Sequence, residues 1–144
     1  MGIAEDLSGI VERETARLRG LAEPAASRRP AEGKWCPKEI LGHLADSAVN
    51  NQQRFVRAAL EGTLAIPGYA QDGWVSVQRW ADEDWQAIVG LWVALNRHLA
   101  HVLAGLPAAA LLAQCRIGDR PPVTLEAVAR DYLRHLEHHL AALT

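Results

Sequence analysis

Four long segments of this chain carry apolar residues at three- and four-residue steps, a spacing that restricts the fold more than any other feature of the sequence. No alternating run of Val, Ile and Thr bounded by hairpin turns stands beside them. We therefore predict an all-α fold, a four-helix bundle that forms a single domain over residues 1–144. The predicted helices run from about Ile3 to Leu21, from just after Trp35 to Leu60, from Asp82 to Ala104 and from Thr124 to Leu143.

Local signals mark where the second helix begins and where the chain leaves it. Cys36 occupies the N-cap position, Pro37 the first helical position and Glu39 the third, which resembles a capping box with a weak cap residue. Gly62 ends the helix. The stretch from Glu61 to Ala81 is predicted to be a long loop that can contain one short helix. Loops of this length are often functional.

Composition excludes several classes of protein. The 15 Lys and Arg residues against 17 Asp and Glu give a net charge of −2, and no basic stripe is present, so we expect no nucleic-acid partner. The apolar runs fall short of the roughly 20 residues that a membrane span needs, so we expect no membrane partner either. Glu5 and Asp6 stand where a signal peptide has basic residues, and we expect a cytoplasmic protein. The six histidines are the candidates for its chemistry.

His135 and His139 lie one turn apart on the fourth predicted helix. With His135 at zero on a helical wheel, the apolar residues fall at roughly +60° to +140° and His139 at about 40°. Both imidazoles therefore point towards the core, at a spacing that lets two nitrogens converge on one metal ion. The alternative, two unrelated histidines at the boundary of the core, stays open on spacing alone.

His43 lies at the border of the apolar face of the second predicted helix, and polar residues continue from it along that helix. Asn50 and Arg54 fall within about 20° of His43, and Asp46 about 60° to one side. Such a stripe can line a polar cavity between helices or form an ordinary solvated flank. His98 and His101, on the third helix, read as boundary or surface residues.

Three segments together resemble the DinB-like superfamily, in its YfiT branch. The run from Lys34 to Ser47, which contains Trp35, Glu39, His43, Leu44 and Asp46, is similar to that family's W-S-x-x-E-x-x-x-H-L-x-D-S-E segment. The residues Ile66-Pro67-Gly68-Tyr69, with Asp72 and Trp74, are similar to its central loop, and His135 to His139 to its closing H-x-x-x-H. Cys36, Ala48 and Ala70 depart from the family pattern.

The resemblance implies a four-helix bundle in which His43, His135 and His139 hold a divalent metal. Imidazole suits Zn, Ni, Cu and Fe alike, and we expect Zn or Ni. The resemblance also implies a metal-dependent enzyme, either a hydrolase or a transferase that uses a low-molecular-weight thiol as co-substrate, and a homodimer.

On this hypothesis the metal activates water or thiol, while Asn50 and Arg54 orient an anionic or amide-bearing small-molecule substrate. Either Asp46 or Asp131, which lies one turn before His135, supports a ligand imidazole. The competing hypothesis is a non-catalytic bundle that binds a metal or a small ligand, since the three departures make a loss of activity plausible.

Overall fold

The computed structural model describes residues 2–143, and four long helices dominate them. These helices are α1 (Ile3–Arg19), α3 (Pro37–Glu61), α5 (Trp85–Gly105) and α6 (Leu125–Ala141). A short helix, α2 (Glu23–Ala26), follows α1, and α4 (Gln71–Gln78) lies between α3 and α5. The four predicted helices are confirmed, and α4 is the short helix expected within the long loop.

The long helices form a closed bundle. α1 packs along α5, α5 along α3 and α3 along α6, while α6 returns to α1. Their apolar faces meet in one core, in which Trp85, Trp92, Phe55 and Leu136 are fully buried. The order of packing differs from the order along the chain, and it brings α3 beside α6, the two helices that carry the candidate histidines.

Ion pairs fix the beginning of α3. Lys38 Nζ lies 2.5 Å from Glu23 Oε1 on α2, and Arg29 Nη1 lies 2.5 Å from Glu39 Oε1. The Glu39 carboxylate also accepts a hydrogen bond of 3.1 Å from the backbone N–H of Cys36, as the predicted capping box requires. These contacts hold the first turn of α3, one turn before His43, against α2 and the loop that follows it.

A small three-stranded sheet accompanies the bundle, and the sequence did not predict it. Its strands are β1 (Thr63–Ile66), β2 (Gln114–Ile117) and β3 (Val123–Thr124). β1 pairs with β2 in parallel and β2 with β3 antiparallel. Strands of two to four residues are too short to show a period of two in the sequence, so only pairing between distant segments reveals them.

α5 is the one helix among residues 2–143 that is long and apolar enough, by length and composition, to cross a membrane. An 18-residue window within this 21-residue helix has a mean hydropathy of 1.3. The core helix of a soluble protein meets the same criteria, and α5 packs its buried residues, among them Ile88, Trp92 and Leu99, against α1 and α3. Leu91, on another face of α5, is exposed.

Candidate metal centre

Three histidine side chains from two helices meet inside the bundle. His43 comes from α3 and is buried, and His135 and His139 come from successive turns of α6 and are half-buried. The ring centroid of His43 lies 5.0 Å from that of His135 and 5.0 Å from that of His139, and the two α6 rings lie 4.5 Å apart. One nitrogen from each ring lies within 4.8 Å of the other two.

The spacing of the nitrogens fits a divalent metal. His43 Nε2 and His135 Nε2 are 3.2 Å apart. Two imidazoles bound to one tetrahedral zinc ion at 2.0–2.1 Å place their nitrogens about 3.3 Å apart. All three donors are imidazoles, which suit Zn and Ni among other metals.

Within residues 2–143, the second ring nitrogen of His43, Nδ1, lacks the hydrogen bond that metal-binding histidines usually make there. His43 Nδ1 is buried and has no hydrogen-bond partner among the described residues. Histidines that bind a metal usually donate their second N–H to a carboxylate, a carbonyl or water. The ring of Trp35 lies 5.0 Å from that of His43 and restricts its movement by packing.

Burial keeps the three histidines neutral. Loss of hydration, followed by the repulsion of neighbouring imidazoliums, lowers the pKa of His43 to about 4 and that of His139 to about 4. Burial also lowers the pKa of His135, and the negative charge of Asp131 offsets part of that change. Neutral imidazole is the form that binds a metal, so these histidines can bind one at neutral pH without first losing a proton.

A cavity of about 750 Å³ lies beside the cluster, and His135 forms part of its wall. α3, α6, the chain after β1 and the segment around β2 and β3 enclose it. Its polar lining includes Ser47, Asn51, Arg54, Tyr69 and Asp131. A molecule in this cavity would therefore contact one of the three histidines directly.

The residues predicted to form one polar stripe on α3 separate in the structure. Arg54 lines the cavity, whereas Asp46 and Asn50 are absent from its described lining. The Asp46 carboxylate accepts hydrogen bonds from Gln78 Nε2 at 2.7 Å and Trp80 Nε1 at 3.3 Å. Asn50 Nδ2 donates to the backbone oxygen of Asp46 at 2.9 Å. The structure thus gives Asp46 and Asn50 contacts within and near α3 and leaves Arg54 facing the cavity.

Ser47, Asn51 and Tyr69 line the cavity and were not among the predicted site residues. From His43, Ser47 falls at about 40° and Asn51 at about 80°, on the side of the apolar arc. Polar residues at the edge of an apolar arc were the available signal. No periodic pattern could have placed Tyr69, because it lies in an irregular segment between β1 and α4.

The remaining histidines lie elsewhere on the surface. His98 and His101 are exposed on α5, with ring centroids 6.3 Å apart, as the sequence predicts. His138 is exposed on α6, although its ring lies 5.3 Å from that of His139.

The chain matches known proteins over most of its length. The model of the DinB superfamily matches residues 11–143. A Bacillus subtilis (strain 168) protein named "Putative metal-dependent hydrolase YfiT" is 30% identical over 125 residues, which cover 78% of this chain and 64% of that protein. A Bacillus pumilus (strain SAFR-032) protein named "Putative metal-dependent hydrolase" is 30% identical over 145 residues, 97% of this chain and 80% of that relative. The chain thus spans just under two thirds of the first relative and more of the second.

The fold matches a solved structure. YfiT from Bacillus subtilis, described there as having an unusual four-helix bundle topology, superimposes with a TM-score of 0.86 at 22% sequence identity. The superposition covers 96% of this chain and 80% of that one. From the match over residues 11–143 and the 30% identity across nearly the whole chain, this protein belongs to the DinB superfamily.

Proposed function

We propose that this protein is a metal-dependent enzyme acting on a small molecule bound in the cavity beside His135. The observation that carries the proposal is the meeting of three neutral imidazoles, one of which, His135, forms part of the wall of that cavity. The reaction is either hydrolysis, in line with the names of the two relatives, or transfer onto a low-molecular-weight thiol, as the resemblance of the sequence implies.

His43, His135 and His139 would hold the metal, Zn or Ni. A divalent metal on three neutral ligands keeps its full positive charge and supplies a Lewis acid that makes an anionic nucleophile available near neutral pH. Trp35 packs on His43, and the two α6 imidazoles lie on successive turns of one helix, so the metal-binding nitrogens are positioned before a metal arrives.

Side chains of the cavity would bind and orient the substrate. Arg54 offers a guanidinium, and Asn51 Oδ1 lies 3.5 Å from its Nη1. Burial raises the pKa of Tyr69, whose hydroxyl lies against Ser47, so the phenol stays protonated and can donate a hydrogen bond. The apolar part of the lining excludes water from one side of the substrate.

One observation favours a second candidate, a bundle that binds a metal or small ligand without catalysis. The Asp46 carboxylate, the buried acid closest in sequence to His43, already accepts two hydrogen bonds. Of the two aspartates in the described lining, both are exposed, and Asp131 Oδ1 accepts a hydrogen bond of 2.9 Å from Arg134. The described cavity therefore holds no buried, unpaired carboxylate to act as a general base.

Metal titration of a matched pair of variants tests the site. His135→Ala removes a cavity-facing imidazole, and His138→Ala removes an exposed one from the same helix. We expect the first to weaken Zn²⁺ and Ni²⁺ binding by more than about 100-fold, since even groups behind a ligand are worth 10- to 100-fold. The second should bind as the unaltered protein does. Undiminished binding by His135→Ala, measured by calorimetry on protein without a His tag, would refute the three-histidine site.

A reaction screen then separates the two candidate functions. The metal-loaded protein is incubated with esters and amides, and with thiols paired with electrophilic acceptors. Metal-dependent turnover that His43→Ala abolishes supports an enzyme. Tight metal binding with no turnover in either set of substrates supports the binding module.

A further inference from the structure

Arg54 is a cation without a carboxylate partner inside the cavity. Its side chain is half-buried, and it makes no ion pair with any described residue. Its hydrogen bond to Asn51 Oδ1, at 3.5 Å, is long. A guanidinium has five N–H donors, and burial without an anionic partner is costly, so this arrangement favours the binding of an anion.

The other charges of the cavity largely cancel. The described lining holds the cations Arg54, Arg120 and Arg134 and the anions Asp119 and Asp131. Asp131 pairs with Arg134, and its charge also acts on Arg54 from beyond ion-pair distance, while Asp119 and Arg120 are adjacent and exposed. In the metal-free cavity one positive charge therefore remains, and Arg54 is the one of the three arginines that is half-buried. A single positive charge matches a single negative one.

The rest of the wall is mostly apolar. Ile117, Val123 and Val128 contribute aliphatic surface, and Tyr132 contributes its ring, because its hydroxyl donates to Asn96 Oδ1 in the core. A cavity of about 750 Å³ is the size of sites that take small organic ligands. Such a wall binds a carbon skeleton by burying its apolar surface, and Arg54 then binds the charged end of the molecule.

We propose that the cavity binds an amphipathic monocarboxylate, with the carboxylate on the Arg54 guanidinium and the apolar body against β2, β3 and α6. The fork of an arginine matches a carboxylate in two parallel hydrogen bonds. Asn51 acts as a positioning residue, since its Nδ2 donates to the backbone oxygen of Ser47 at 2.8 Å and its Oδ1 faces Arg54. The claim that this monocarboxylate is the substrate rests on the proposed function. The claim that the cavity binds it does not, because the carboxylate binds Arg54 and not the metal.

A charge-matched pair of ligands tests the assignment. Phenylacetate and phenylacetamide share a skeleton and differ in charge, and phenylphosphonate supplies a second kind of anion. Their dissociation constants are measured by calorimetry on the full chain, first metal-free and then Zn²⁺-loaded. We expect the metal-free protein to bind phenylacetate at least about tenfold more tightly than phenylacetamide, since hydrogen bonds to charged groups are worth more than neutral ones.

Variants of two arginines on α3 locate the anion. Arg54→Gln should remove the preference for phenylacetate, and Arg54→Lys should retain part of it, because the charge stays and the fork is lost. Arg57→Gln is the matched control, since Arg57 is exposed on the same helix and outside the described lining. Arg57→Gln should keep the full preference. Circular dichroism shows whether each variant is folded. If Arg54→Gln does not fold, the test rests on whether Arg54→Lys has a weaker preference for phenylacetate than the unaltered protein.

Three results would overturn the assignment. All three are measured on metal-free protein, in which no ligand can bind to zinc. They are equal binding of phenylacetate and phenylacetamide by the unaltered protein, an unchanged preference in folded Arg54→Lys and Arg54→Gln, and tighter binding of phenylphosphonate than of phenylacetate. The outcome is independent of the metal site. An Arg54-dependent preference in protein that binds no metal would refute the proposed function alone, and metal-dependent turnover without that preference would refute the substrate class alone.

Discussion

Gly42 shows how a single residue positions the α3 side of the site. A Cβ atom built on Gly42 would lie 2.2 Å from Cγ of Trp80, a buried side chain. The indole can lie flat against α3 only because no side chain is present there, and its Nε1–H then reaches the Asp46 carboxylate. A glycine one residue before His43 thus allows the chain after α4 to cover Asp46.

We expect Gly42→Ala to destabilise the protein by about 1–3 kcal/mol, the usual cost of overpacking a filled core. The loss should outweigh the gain of about 1 kcal/mol in helix propensity. Gly90→Ala is the control, because a Cβ at Gly90, within α5, meets no atom within 4 Å. It should leave stability equal or raised. Urea denaturation of both variants checks the prediction, and a Gly42→Ala protein as stable as Gly90→Ala would contradict the contact.

At the scale of the element, the beginning of α5 shows the limit of local signals. Three acids in succession, from Asp82 to Asp84, predict a helix from Asp82, because any of them suits the positive end of a helix dipole. In the structure α5 begins at Trp85, and Asp82 lies in a 3₁₀ turn. Asp84 is the N-cap, and its carboxylate accepts a hydrogen bond of 3.0 Å from the backbone N–H of Ala87. Asp84 lies between Trp80 and Trp85, which are both buried, and the sequence does not show this packing.

We expect Asp84→Ala to lower stability by about 1 kcal/mol, since it leaves an N–H at the first turn of α5 without its partner. Asp84→Ser should restore most of the loss. Asp82→Ala, which removes an exposed acid two residues earlier, should change stability by less than about 0.5 kcal/mol. Equal effects of Asp84→Ala and Asp82→Ala on the urea midpoint would show that general charge, and not the cap, stabilises α5.

At the scale of the whole molecule, the bundle buries three ionisable side chains, and the negative charge of Asp131 offsets part of the cost of burial at His135. Histidine in an unfolded chain has a pKa near 6.5. In the folded, metal-free protein the pKa of His43 and that of His139 fall to about 4 because burial disfavours the imidazolium. Between these values the unfolded chain binds more protons than the folded one, so stability increases with pH.

We therefore expect the metal-free protein to have the full contribution of these histidines above about pH 6.5 and to lose it progressively as the pH falls towards 4. His43→Gln should flatten this dependence, because it removes one of the titrating groups. His101→Gln, which removes an exposed histidine from α5, should leave it unchanged. Urea midpoints measured across this pH range test the sign. Stability that does not fall between about pH 6.5 and about pH 4 would contradict the sign. An identical slope in His43→Gln and the unaltered protein would show that His43 is not one of the titrating groups.

The sequence by itself determined those features of the protein that lie within one helix. The four long helices and the inward orientation of His43, His135 and His139 follow from a period of 3.6 residues, which is a local property of the chain. Local spacing also placed Arg54 on the same side of its helix as His43, and it left open whether that side lines a cavity or faces solvent.

Contacts between distant segments decided the rest. Residues 63–66 pair with residues 114–117 in strands too short to show a pattern, and the second of these strands, β2, forms part of the cavity wall. Packing also decided that Asn51 and Tyr69 line the cavity, while the Asp46 carboxylate accepts hydrogen bonds from Gln78 and Trp80. A helical wheel gives the direction of a side chain but not what stands opposite it. The partner comes from another part of the chain, and only the folded molecule brings the two together.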